Sequence, residues 1–108
     1  MKEIVERLQR HGMLFKELEP VAPKVLGSRK RVFIYLGVDM KGYYTAVFGI
    51  EKKSRILQKE VESFEVLHMK LEAYADSTIK YKIALIDAPL CSKALARFKE
   101  RGWKVLVV

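Results

Sequence analysis

The chemistry this sequence offers most readily lies in a few carboxylates. Asp39 closes the apolar run YLGVD, and Asp87 closes the run IALID. Glu60 and Glu62 open an amphipathic stretch between them. Carboxylate oxygens are ordinary ligands of hard divalent cations, so acids of this kind brought within a few ångströms of each other can share one. Lys41, Lys59 and Lys93 are the candidates for holding phosphate groups beside them.

The elements must decide whether these groups meet. Residues 2–10 have Ile4, Val5 and Leu8 at helical spacing, with Gly12 as a stop. A further turn of helix is expected through Leu14, Phe15 and Leu18, before Pro20 and Pro23 impose an extended segment. Residues 1–31 thus read as a helix and arm packed on a single domain formed by residues 32–108. Residues 32–38 are apolar on both faces and fit a central strand. Gly42 turns the chain into a second strand, 43–50, and residues 54–58 read as a third. Val61, Phe64, Leu67, Leu71 and Tyr74 mark a helix over 59–75. Residues 81–86 form a fourth strand, Pro89 introduces another helix, and 103–108 are a fifth strand. The expected fold class is α/β: an N-terminal helix, then β-β-β-α-β-α-β, as a mixed five-stranded sheet with helices packed on it.

In that arrangement the first strand ends at Asp39, the third runs back to the same end, and the fourth returns there to end at Asp87. Asp39, Asp87 and an early glutamate of the long helix then converge where open α/β sheets usually place ligands. If the first and fourth strands are neighbours, their carboxylates lie about 5 Å apart. The same geometry sorts the cations. Lys41, Lys59 and Lys93 fall near the acids, while Arg29, Lys30, Arg31, Lys52, Lys53, Lys80 and Lys82 fall at the far end.

YLGVD on a hairpin and the later IALIDAPL resemble the ribonuclease H-like superfamily, including RuvC-type resolvases and RuvC-like transposase domains. The resemblance covers residues 32–108. It implies that Asp39, Glu62 (or Glu60 or Glu65 in its place) and Asp87 are catalytic ligands of Mg2+ or Mn2+, cleaving a phosphodiester by two-metal chemistry. Catalytic members carry a further acid after the fifth strand, and this sequence has no residue beyond Val108 to supply one. A non-catalytic adaptor that binds a partner chain, or a second copy through its fifth strand, is the alternative. Asp39 with Glu51-Lys52-Lys53 also imitates the D…ExK signature of restriction-type nucleases. The strand between Asp39 and Glu51 separates them by about 26 Å, too far to share an ion.

Plainer roles compete at each position. Asp39 can start a turn and Asp87 can cap a helix. Cys91 to Arg97 has the C-x5-R spacing of cysteine phosphatases, but the intervening residues read as helix rather than as a phosphate-cradling loop. The composition sets the frame. The 108 residues carry 21 basic and 13 acidic side chains, for a net charge of +8, which suits an anionic partner, nucleic acid first. There is no asparagine and only two glutamines, an economy of the kind found in thermophiles. The single cysteine excludes an internal disulfide, no apolar run is long enough to span a membrane, and a cytoplasmic protein is expected.

Overall fold

The computed structural model describes residues 3–108. The element order is α1 (Ile4–Arg10), β1 (Phe15–Val21), a 3-10 turn (Pro23–Leu26), β2 (Phe33–Asp39), β3 (Tyr44–Glu51), α2 (Gln58–Ala75), β4 (Tyr81–Asp87), α3 (Ser92–Glu100) and β5 (Trp103–Val107). The expected α/β class and the expected succession of helices and strands are both present. Lys2, at the start of the expected first helix, lies outside the described residues.

The succession is reached with one exchange of strands. Residues 15–21, expected as helix and arm, form edge strand β1, and residues 54–58 form no strand of the sheet. Phe15 and Leu18 have helical spacing, but a bulge between Phe15 and Glu17 puts both on one face of the strand. One extra residue in a strand changes which side chains share a face, and here it makes a spacing of three residues look helical. Gly37 accommodates them, because a Cβ there would lie 3.0 Å from Phe15 Cδ1 and 3.2 Å from Leu18 Cδ1. Residues 54–58 keep a single bridge, Ile56 to Leu90, and then enter α2.

The sheet order is β1-β2-β3-β4-β5. β1, β2 and β3 are antiparallel in turn, while β3, β4 and β5 are parallel through the two helices. β2 is therefore not a neighbour of β4, the condition under which Asp39 and Asp87 would lie about 5 Å apart; β3 stands between them. β5 lies at an edge.

Alternation along β3 builds both cores. Ala46, Phe48 and Ile50 face α2 and α3, where Val61, Phe64, Leu67, Leu71, Ala94 and Phe98 are buried. Phe48 is fully enclosed there, with its ring edge-on to Trp103 at 5.0 Å and to Phe64 at 6.3 Å between centroids. Val47 faces the other way, packing with Ile83, Leu85 and Leu106 beneath Leu8 of α1. α1 is only seven residues long, so it covers part of that second face and leaves its ends open. No helix among the described residues is long and apolar enough to cross a membrane.

His68, on the core side of α2, gives the fold a pH dependence. It is buried, its Nδ1 has no hydrogen-bond partner among the described residues, and its Nε2 lies 3.6 Å from Glu72 Oε1. Burial pushes the imidazole below its ordinary pKa, against the pull of Glu72. The folded state therefore favours the neutral ring, and protonation favours unfolding. This contribution is complete above about pH 6.5 and is lost as the pH falls below it. The urea midpoint is expected to drop between about pH 6.5 and 5 in the parent protein, and the drop should be smaller in His68→Phe. An unchanged slope in that variant would contradict the assignment.

Candidate nucleic-acid interface

The sheet register disperses the acids that sequence reasoning grouped. Asp39 lies at the β2–β3 turn, where its Oδ1 accepts from the amides of Lys41 at 2.9 Å and Tyr43 at 2.8 Å. It organises the hairpin. Asp87 is paired with Glu51, at the opposite end of β3. Seven residues of strand put roughly 23 Å between those ends. Glu62 shares the Asp87 end but lies on the helix-covered side, where its Oε1 accepts from Arg97 at 2.8 Å and Arg101 at 3.0 Å. Arg97 first, and then Arg101, hold its carboxyl below the usual range. Asp39, Glu62 and Asp87 thus form no common ligand set, and Lys41 is parted from Lys59 and Lys93.

The cause is the missing third strand. Without residues 54–58 as a returning strand, α2 starts where β3 ends, and the ends of β3 and β4 come together. The carboxylates that do meet are Glu51 and Asp87. They are register partners on adjacent parallel strands, on the face that α1 covers, and both side chains are a little under half exposed. Arg7 of α1 lies between them, its Nη1 3.5 Å from Asp87 Oδ2 and 3.9 Å from Glu51 Oε2. Glu51 belongs to the D…ExK pattern, and β3 holds it far from Asp39, as expected. The partner that replaces Asp39 comes from β4.

Cations surround this pair. Lys52 donates to both oxygens of Glu60 at 2.8 Å, and Lys30 approaches the same carboxylate at 3.8 Å. Burial alone would raise the Glu60 carboxyl. Lys52, the Leu57 amide and Lys30 outweigh it and hold the group below its ordinary pKa. These contacts place the segment before β2 and the start of α2 at the same end of the sheet. The Lys52 amide donates to the Asp87 carbonyl, and the Ile56 amide to that of Pro89, which adds the loop into α3. Arg29, Arg31, Lys53, Arg55, Lys59 and Lys93 all belong to these segments. Each is exposed, and none has an acidic partner within ion-pair distance among the described residues. The expected division of the cations is therefore corrected. Arg29, Lys30, Arg31, Lys52 and Lys53 join Lys59 and Lys93 around the carboxylate pair, while Lys41, Lys80 and Lys82 lie at the other end.

Cys91 is the N-cap of α3, its Sγ accepting from the Ala94 amide at 3.3 Å. Residues 92–100 are helical, so no phosphate loop forms between Cys91 and Arg97.

The sequence matches no family model and no curated protein. Among solved structures, the apo form of EndoMS matches with a TM-score of 0.62 at 14% identity, over 98% of this chain and 44% of that one. The chain thus spans less than half the length of the EndoMS chain. The likeness shows a shared fold.

Proposed function

We propose that this chain is a nucleic-acid-binding domain on a nuclease-like fold, which grips the phosphate backbone through the end of its sheet that carries Glu51 and Asp87. The observation that carries the reading is six exposed cations, without an ion-pair partner among the described residues, on four segments around one end of the sheet. A surface of that kind suits a polyanion, and it reads charge and shape rather than base sequence. The likeness to EndoMS, a nuclease, supports a nucleic-acid context for the fold.

Metal-dependent cleavage fits these residues poorly. The resemblance that implied Mg2+ or Mn2+ needs three acids together, and no group of three metal-ligating side chains occurs among the described residues. Glu51 and Asp87 offer only two, and the Arg7 guanidinium already balances them. Millimolar Mn2+ is expected to leave both the melting temperature and a duplex or single-stranded substrate unchanged. A saturable rise in melting temperature with cleavage, both lost in Glu51→Gln, would contradict this.

The binding reading is tested by fluorescence anisotropy with a labelled duplex between about 50 and 200 mM salt. Six phosphate contacts predict a slope of log K against log salt near −5. Affinity that is absent at 50 mM, or indifferent to salt, would overturn it.

A further inference from the structure

The opposite end of the α1-covered face holds a cavity of about 350 Å3 that the proposed interface does not use. It exists because α1 stops short of this end of the sheet. Phe15 and Asp39 are register partners on β1 and β2, and Thr45 and Tyr81 are partners on β3 and β4. All four line the cavity, with Ile83 beside them and Lys80 and Lys104 at its margin.

Three polar groups of this wall, on Thr45, Asp39 and Lys104, are left without a polar partner among the described residues. Thr45 is 2 % exposed, and its hydroxyl has no hydrogen-bond partner among the described residues. Buried polar groups are nearly always satisfied, so an orphan in a cavity wall asks for a partner from outside the chain. A rotation about χ1 exchanges that hydroxyl with the side chain's methyl group. Asp39 uses Oδ1 for the turn and leaves Oδ2 without a hydrogen bond among the described residues. Lys104 is exposed and makes no ion pair among the described residues, and the Lys80 ammonium rests on the Tyr43 ring at 3.7 Å rather than on a carboxylate. The remaining wall is mostly apolar and aromatic.

We infer that this cavity binds a nucleoside monophosphate, with the base against Phe15, Tyr81 and Ile83 and the phosphate toward Lys80 and Lys104. The volume lies at the low end of the range for small-molecule sites. Asp39 can accept from an exocyclic amino group, and Thr45 can meet a ring nitrogen or carbonyl. A doubly charged phosphate matches two lysines, whereas the carboxylate of an aromatic amino acid would use one. The site lies at the other end of the sheet from the proposed interface and does not depend on it.

The test is titration with AMP, followed by calorimetry and by the amide resonances of Thr45, Tyr81 and Lys104. AMP is expected to bind and to shift those three, with adenosine, phenylalanine and inorganic phosphate each binding more weakly. Thr45→Val keeps the shape and removes the orphan hydroxyl, so the free variant should melt no lower than the parent. Its AMP affinity should nevertheless fall roughly 3- to 10-fold, as for one lost hydrogen bond. Lys104→Gln should lower affinity for AMP while leaving that for adenosine unchanged. Shifts confined to residues 29–31 and 52–59, phosphate binding as tightly as AMP, phenylalanine binding more tightly than AMP, or full AMP affinity in Thr45→Val would each overturn the inference.

Discussion

Replacing Arg29, Arg31, Lys53 and Arg55 together by Gln is expected to weaken duplex binding on the order of 100-fold at moderate salt, and to lower the salt slope by about 3 to 4. Each phosphate contact contributes close to one counterion to the slope, so four lost contacts remove most of it. The four side chains are exposed and make no ion pair among the described residues, and their removal should leave the melting temperature within a few degrees of the parent. The control has the same charge change at other places. Lys16, Lys41, Lys70 and Lys99 are also exposed and lie away from the Glu51–Asp87 end. Changing them to Gln removes four charges from the whole-protein field but no contact, and should cost only a few-fold. Equal losses in the two variants would mean that net charge, rather than the placement of the cations, governs binding.

Phe48→Ala is expected to cost about 3–5 kcal/mol of folding stability. Phe48 is fully buried at the middle of β3 and joins the sheet to both helices through Trp103, Phe64 and, beyond them, Phe98. Truncation loses the transfer free energy of the ring, and rigid neighbours leave part of its volume empty. Against the roughly 5–15 kcal/mol typical of a small domain, that is about a fifth of the total or more. Urea unfolding reads it directly as a lower midpoint with an unchanged slope. A cost below about 1.5 kcal/mol would mean that α2 and α3 close over the gap, and that the aromatic cluster is not the joint described. The same strand carries Glu51 to the site, so a loosened β3 should also weaken the interface.

The fold was legible where periodicity is local. The α2 stripe of Val61, Phe64, Leu67 and Leu71, the apolar run of β4 and the β2–β3 hairpin all stand as expected, with ends moved by a residue or so. Two features were not local. The bulge at Phe15–Glu17 gave a strand the apolar spacing of a helix, and Ser54–Gln58 had a strand's composition without a neighbour to pair with along its length. These two exchanges cancel in the count of strands but not in direction. They invert the end at which α2 begins and at which β4 finishes. Asp87 was therefore placed beside Asp39 instead of Glu51, and Lys52 and Lys53 were placed at the wrong end relative to Lys59 and Lys93. Arg7 was invisible as a site residue because nothing in a seven-residue helix says which sheet edge it will reach. The one available signal was the early pairing of Glu51 with two lysines. The strand length between Asp39 and Glu51 argues against that pair sharing a site, and register alone supplies the nearer acid, Asp87.

In the proposed complex, nucleic acid meets the end of the sheet that carries Glu51 and Asp87. Amide chemical-shift mapping during titration with a short duplex tests it most directly. Shifts are expected on residues 29–31, 52–59 and 91–93, with residues 41–45, 80–82 and 102–104 unmoved. Shifts concentrated in the second group, or spread evenly over the surface, would contradict it.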